Sequence, residues 1–333
     1  MKKTVRIICI LSIFSLLVSV LIGCNKRKEG YPPVWTSEDR VVMTLGGYNV
    51  AYDFYRYLFL NTKVYFDTSD NKSLNESGTD VEKIKDYVLE SLKKTYGMFI
   101  LADKYNVELS EADLLEIKST IEEERKDYTD EEFEQSLNQS FLTKELYEFL
   151  LKVQYLEYKV YSHIISESSN ILMVDDATLQ KELETNFARA SHILFKFSDE
   201  AQKQSQKELA VQVLERLKNG EDFETLKEEY SDDTDLKGNT DGYYFTHGEF
   251  NNMFEYTAFD LEVGELSDIV TTDVGFHIIK RLPIEEQYVN KNFEKLRKQF
   301  LTAKYYQMLK DTYNELTPEY KKDYKNIKLD TFD

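Results

Sequence analysis

Apolar residues keep a helical period up to about residue 187 and again after Pro283, and between those points they do not. That interruption limits the chain to a helical body with something different set into it. Val81, Ile84, Val88, Leu92, Phe99 and Ala102 recur at intervals of three, four and seven, marking one face of a helix that Asn106 closes. Ser110 with Asp113, and Thr129 with Glu132, have the spacing of capping boxes and predict two further helix starts. A longer helix follows, striped by Leu146, Phe149, Leu150, Val153, Leu156 and Val160. Beyond Pro283, Phe293, Leu296, Phe300, Ala303, Met308, Thr312 and Leu316 trace another stripe. A lone amphipathic helix cannot bury that face, so the last helix is expected to pack back on the first ones.

Residues 188–283 read differently. "SHILFKF" is strand-like, "KELAVQVLERLKNG" and "DFETLKEEYS" are helical, and Asp232 to Gly248 is polar with Gly238 and Gly242. "MFEYTAFDL" is again helical, and "SDIVTT" and "GFHIIKRL" are two strands split by a turn. The expected fold class is therefore α+β: an all-helical domain built from both chain ends, 41–187 and 284–333, carrying a small α+β insertion at 188–283. Near the start, "VVMTLGGYNV" predicts a short hairpin turning at Gly46-Gly47 before the first aromatic-rich helix.

The first residues bound location. Lys2, Lys3 and Arg6 precede an uncharged apolar run from Ile7 to Ile22, which is short for a membrane span and has the layout of an export signal. Gly23 and Cys24 end it, a pattern that resembles the lipobox of bacterial lipoproteins. The resemblance implies cleavage after residue 23 and a lipid on Cys24. Residues 24–40, polar with Pro32 and Pro33, read as a tether. The other cysteine, Cys9, lies inside the signal, so the exported chain has no disulfide to form. Sixty-one Asp and Glu against 42 Lys and Arg give a net charge of −19, which argues against nucleic acid as a partner.

Taken in order, "RASHILF", "DFETLKEEYSDD", "GEFNNMFEYTAFDLEVGELSDIV" and "GFHIIKRL" resemble the parvulin-type peptidyl-prolyl isomerase domain. With the lipobox, tether and flanking helices, the whole chain resembles the PrsA-type foldase lipoproteins of Gram-positive bacteria. The resemblance implies a foldase at the outer face of the cytoplasmic membrane that isomerises Xaa-Pro bonds in newly translocated, unfolded polypeptides. It implies His192 and His277 as the paired histidines of the site, Thr272 as a hydrogen-bond partner of that pair, and Asp233 as the acidic residue beside the amide. Phe250 and Phe254 fall on positions that cup the proline ring, with Phe245 and Leu194 as neighbours. No cofactor and no metal are implied, and a homodimer is left open.

The chemistry fits these residue types. A prolyl amide turns over a barrier of about 18–20 kcal/mol set by amide resonance, so no bond need be made or cut. A catalyst needs an apolar seat for the ring and polar groups that favour the twisted amide. Strand alternation puts His192 on the side of Ala190 and Leu194, and His277 on the side of Ile279, so adjacent central strands would join the two rings on one face.

Resembling domains usually read Gly-Gly-Asp-Leu-Gly before the pocket helix. Here Asn239 and Thr240 replace glycines, and Gly242 and Tyr243 stand at the Leu-Gly positions, which implies a less complete pocket wall and a different turn. A non-catalytic holding chaperone on the same fold is the competing reading. A solute-binding lipoprotein is a third, and the helical pattern around a small insertion argues against it. Between Arg189 and Pro283 there are 10 Lys and Arg against 20 Asp and Glu, which disfavours phosphorylated substrates.

Overall fold

A computed structural model of the chain describes residues 40–69 and 80–332. The stretches read as export signal and tether lie, but for Arg40, outside the described residues, as does Cys24. A hairpin of β1 (Val41–Leu45) and β2 (Tyr48–Ala51) leads into α1 (Tyr52–Ser69) and α2 (Asp80–Tyr105). Then come α3 (Glu111–Arg125), α4 (Asp130–Gln139), α5 (Lys144–Ile165) and α6 (Asp176–Thr185). The middle of the chain forms β3 (Phe187–Lys196), α7 (Glu200–Lys218), α8 (Phe223–Tyr230), β4 (Tyr243–Thr246) and α9 (Asn252–Asp260). It continues with β5 (Val270–Thr271) and β6 (Gly275–Leu282), and the chain ends in α10 (Glu286–Lys291), α11 (Phe293–Asn314) and β7 (Glu319–Tyr320).

Local chemistry sets many of these boundaries. Ser110 and Thr129 each accept from the backbone N–H three residues on, and Asp113 and Glu132 reciprocate at the cap N–H, so both capping boxes are complete. Asn106 ends α2 in the left-handed region at φ 53°, where asparagine is tolerated better than most residues.

The chain divides into two compact units, one holding residues up to Leu172 together with those from Tyr305 onward, the other Met173–Lys304. The first unit has a core of Tyr55 and Phe59 from α1, Ile84, Val88 and Leu92 from α2, Leu146, Leu156 and Val160 from α5, and Tyr305 and Leu309 from α11. Burying each such side chain contributes about 1.5–3 kcal/mol. The two chain ends are also sewn together by a three-stranded sheet, β2-β1-β7, in which Met43 pairs with Tyr320. Phe332 seats its ring 5.1 Å from that of Phe59. This sheet adds to the helical reading, because two exposed residues such as Glu319 and Tyr320 carry no strand pattern.

The second unit is built on an antiparallel sheet in the order β4-β3-β6-β5. Nine of the ten residues of β3 are buried, since both of its faces are covered. Ile193, Phe195, Phe276 and Ile278 pack on Val213 and Leu217 of α7 and Leu226 of α8. Ala188, Ala190, Phe245 and Ile279 face the other way, against Phe254 and Ala258 of α9. This unit is wider than the 188–283 stretch that the change of pattern marks out. Arg297 donates to the Val174 carbonyl at 2.7 Å, Gln299 donates to the Tyr244 carbonyl at 2.9 Å, and Tyr288 stacks on Tyr244 at 3.7 Å. The boundary therefore falls inside α11: Leu296 and Phe300 belong to this unit, whereas Tyr305 and Leu309 belong to the first. A single stripe along a helix cannot reveal that it serves two cores. Among the described residues no helix is long and apolar enough to cross a membrane.

Candidate active site

The face of the sheet opposite α7 and α8 carries the polar cluster. In the β3–β6 register His192 lies opposite Ile279, and His277 lies opposite Leu194, so the two histidines are diagonal neighbours on one face. Their Nδ1 atoms are 2.9 Å apart and their rings are nearly parallel, 12° between planes. His192 Nε2 meets Asp233 Oδ2 at 2.6 Å, and His277 Nε2 meets Thr272 Oγ1 at 2.8 Å. All four residues thus form one line of hydrogen bonds.

The backbone explains why they line up. β4 pairs only with Phe187–Ala190 of β3, which leaves that edge open farther along. The segment after α8 fills it: Asp232 N–H donates to the Leu194 carbonyl at 2.8 Å, Ser231 Oγ accepts from Leu194 N–H, and the Asp232 carboxylate accepts from Lys196 N–H. With Asp232 spent on the strand edge, Asp233 turns toward His192. At the other end, Thr272 N–H donates to the Gly275 carbonyl in the tight turn between β5 and β6. A Cβ on Gly275 would come within 2.4 Å of the Phe195 carbonyl oxygen, so only glycine lets that turn sit against β3.

One proton arrangement satisfies every partner with both rings uncharged. Thr272 O–H donates to His277 Nε2, His277 Nδ1–H donates to His192 Nδ1, and His192 Nε2–H donates to the Asp233 carboxylate. Burial pushes the His277 imidazole down to about 3, so that ring is neutral at physiological pH. The Asp233 carboxyl is held down at about 2, chiefly by the hydrogen bond from His192 and also by one from Tyr243, against the opposing effect of burial.

An aromatic wall faces this line. Phe254 of α9 sits edge-on to both histidines, with centroids 5.2 Å from His192 and 5.5 Å from His277. Phe250 stacks on Phe254 at 5.1 Å, and Phe245 packs behind both at 4.9 and 5.9 Å. Between wall and line opens a cleft of about 400 Å³, lined by His192, Phe250, Phe254, Thr272, Val274 and His277 among others, with Glu249 and Asp273 at its rim.

Of the residues singled out from sequence, His192, Asp233, Thr272 and His277 come together, and Phe250 and Phe254 line the cleft. Phe245 is fully buried behind them, and Leu194 shares their face without lining the cleft. Three contributors escape the sequence reading. Glu255, itself buried, accepts the backbone N–H groups of Gly248, Glu249 and Phe250 and so shapes the loop that presents Phe250. Arg189 donates to the carbonyls of Thr240, Asp241 and Pro283, and Lys227 donates to that of Asn239. Together they hold the loop whose glycines are replaced. The strand β4 also lies within the stretch read as polar loop, because four residues between Gly242 and Gly248 are too few to show alternation. Among the described residues no group of three His, Cys, Asp or Glu side chains is placed to hold a metal ion.

The family model that matches is the rotamase, or PPIC-type PPIase, domain, over residues 192–282. The fold and this match define the class: a parvulin-type peptidyl-prolyl isomerase domain set in a helical foldase, acting on unfolded polypeptides. Foldase protein PrsA 3 of Bacillus cereus is 31% identical over 262 residues, covering 73% of this chain and 82% of its own. Foldase protein PrsA of Caldanaerobacter subterraneus subsp. tengcongensis is 28% identical over 321 residues, covering 92% and 93%. A crystal structure of PrsA from Bacillus subtilis is similar at 26% identity over 68% of this chain and 79% of that one, with a TM-score of 0.27. The chain belongs to the PrsA foldase family.

Proposed function

We propose that the foldase isomerises Xaa-Pro bonds in the cleft between the aromatic wall and the Thr272–His277–His192–Asp233 line. The unbroken run of hydrogen bonds ending on Asp233 carries this reading. A proline ring fits against Phe250 and Phe254, which places its preceding amide over the histidines. Twisting that amide ends its resonance, so the carbonyl oxygen gives up negative charge and the lone pair returns to nitrogen. An apolar wall and the Asp233 carboxylate both disfavour the charge-separated planar form more than the twisted one, which lowers the barrier. The histidines act as a rigid link. Their mutually fixed rings hold the carboxylate and the floor of the cleft without offering a nucleophile.

The same reading places the protein outside the cytoplasm, lipid-anchored through Cys24, with newly translocated chains as clients. The export signal and the cysteine that ends it support this placement. Two measurements test the proposal. Cis/trans exchange of proline peptides, followed with the full chain, should be accelerated by the wild type and lose most of that acceleration in His277→Ala. Mass spectrometry of membrane-extracted protein should find a diacylated Cys24 at the mature N-terminus. A mature chain that begins elsewhere without lipid would remove the anchor.

A further inference from the structure

We propose that Tyr243 is a positioning residue of the isomerase site, holding the Asp233 carboxylate in line with His192. This rests on the site as read above. The Tyr243 hydroxyl donates to Asp233 Oδ2 at 2.9 Å, the same oxygen that His192 Nε2 meets at 2.6 Å. The other oxygen, Oδ1, accepts from Asp235 N–H at 3.0 Å. Two side-chain donors and a backbone donor thus fix a carboxylate at the end of the polar line, where its side chain is 13% exposed. Without the tyrosine hydroxyl, Oδ2 keeps only the imidazole, and the carboxylate is held in line by two donors in place of three.

The ring adds to this. It lies 6.0 Å from His192 and 5.3 Å from Phe250, so Tyr243 bridges the polar line and the aromatic wall. Its backbone is arranged for that role. Gly242 takes φ 68°, and a Cβ there would meet the Ala190 carbonyl oxygen at 2.6 Å, so the one position in this turn that must be glycine is residue 242. Residue 243 is then free to enter β4 opposite Ala190, which puts its side chain on the same face as His192. The turn that looked defective in sequence has moved its glycine by one place and gained a hydroxyl. Arg189 and Lys227, holding the carbonyls of residues 239–241, fix where that hydroxyl arrives.

The test uses the full chain with Tyr243→Phe, which keeps the ring, together with Asp233→Asn and the double variant. Tyr243→Phe should lose about tenfold in kcat/KM, the scale of one hydrogen bond to a charged group. In the Asp233→Asn background it should lose nothing more. Independently of activity, the ¹³C carboxyl signal of Asp233, assigned by its absence in Asp233→Asn, should titrate at higher pH in Tyr243→Phe than in the wild type. Losses that multiply in the double variant, or an unmoved Asp233 titration, overturn the proposal. If Asp233→Asn loses activity while Tyr243→Phe matches the wild type, only the role of Tyr243 falls. Full activity in Asp233→Asn would instead bring down the site itself.

Discussion

The two walls of the cleft are built on different physics. The polar line runs from the β5–β6 turn through β6 and β3 to the loop after α8, and each step is a heavy-atom approach of 2.6 to 2.9 Å. The aromatic wall comes from β4, α9 and the loop between them, with ring centroids 4.9 to 5.9 Å apart. Hydrogen bonds of the first kind are lost within a few tenths of an ångström, whereas ring packing tolerates such shifts. The polar line should therefore govern rate with little effect on the fold. The aromatic wall should govern affinity and fold together.

The sharpest way to break this contrast is Phe254→Ala. The side chain is 2% exposed and touches both histidines, so its loss should cost about 3–5 kcal/mol in denaturant unfolding along with proline binding. Asp233→Ala should do the reverse, lowering kcat/KM by about a hundredfold, the scale of one preorganised electrostatic group, while the unfolding midpoint moves much less. A pH series should expose His277. Its folded value, about 3, lies below the ordinary 6.5, so the unfolded chain takes up a proton that the folded site refuses. Stability should fall as pH drops from 6.5 toward 3, by roughly 2–4 kcal/mol, and His277→Gln should flatten that slope. Asp233 adds to the fall only at lower pH, since its stabilising charge is complete above 3.8 and is lost as pH falls through about 2. The smallest effect should come from Thr272→Val, which removes the donor to His277 Nε2 and should cost about 1 kcal/mol of stability and a severalfold loss of rate.

Much of this was legible because it rests on local rules. The capping boxes at Ser110 and Thr129, the helix stop at Asn106 and the alternation that puts His192 on the side of Ala190 and His277 on the side of Ile279 are all matters of spacing along the chain. The diagonal offset of the two rings was not legible, since it depends on strand register, which forms between distant segments. The split of α11 between two cores, the pairing of β7 with β1 and the burial of Glu255 under three backbone N–H groups escaped for the same reason. Tyr243 is the instructive case. A comparison of residue types reads it as a lost glycine, and only the φ of Gly242 shows that the turn is intact and shifted.

The central claim is that a hydrogen-bonded line of side chains, with no bond made or cut, accelerates rotation about the prolyl amide. It is tested most directly by measuring cis/trans exchange of a proline peptide panel with the full wild-type chain beside His192→Ala, with the fold of each checked by circular dichroism. The account predicts clear acceleration by the wild type and a loss of at least about tenfold in a folded His192→Ala. Equal acceleration by both proteins would contradict it.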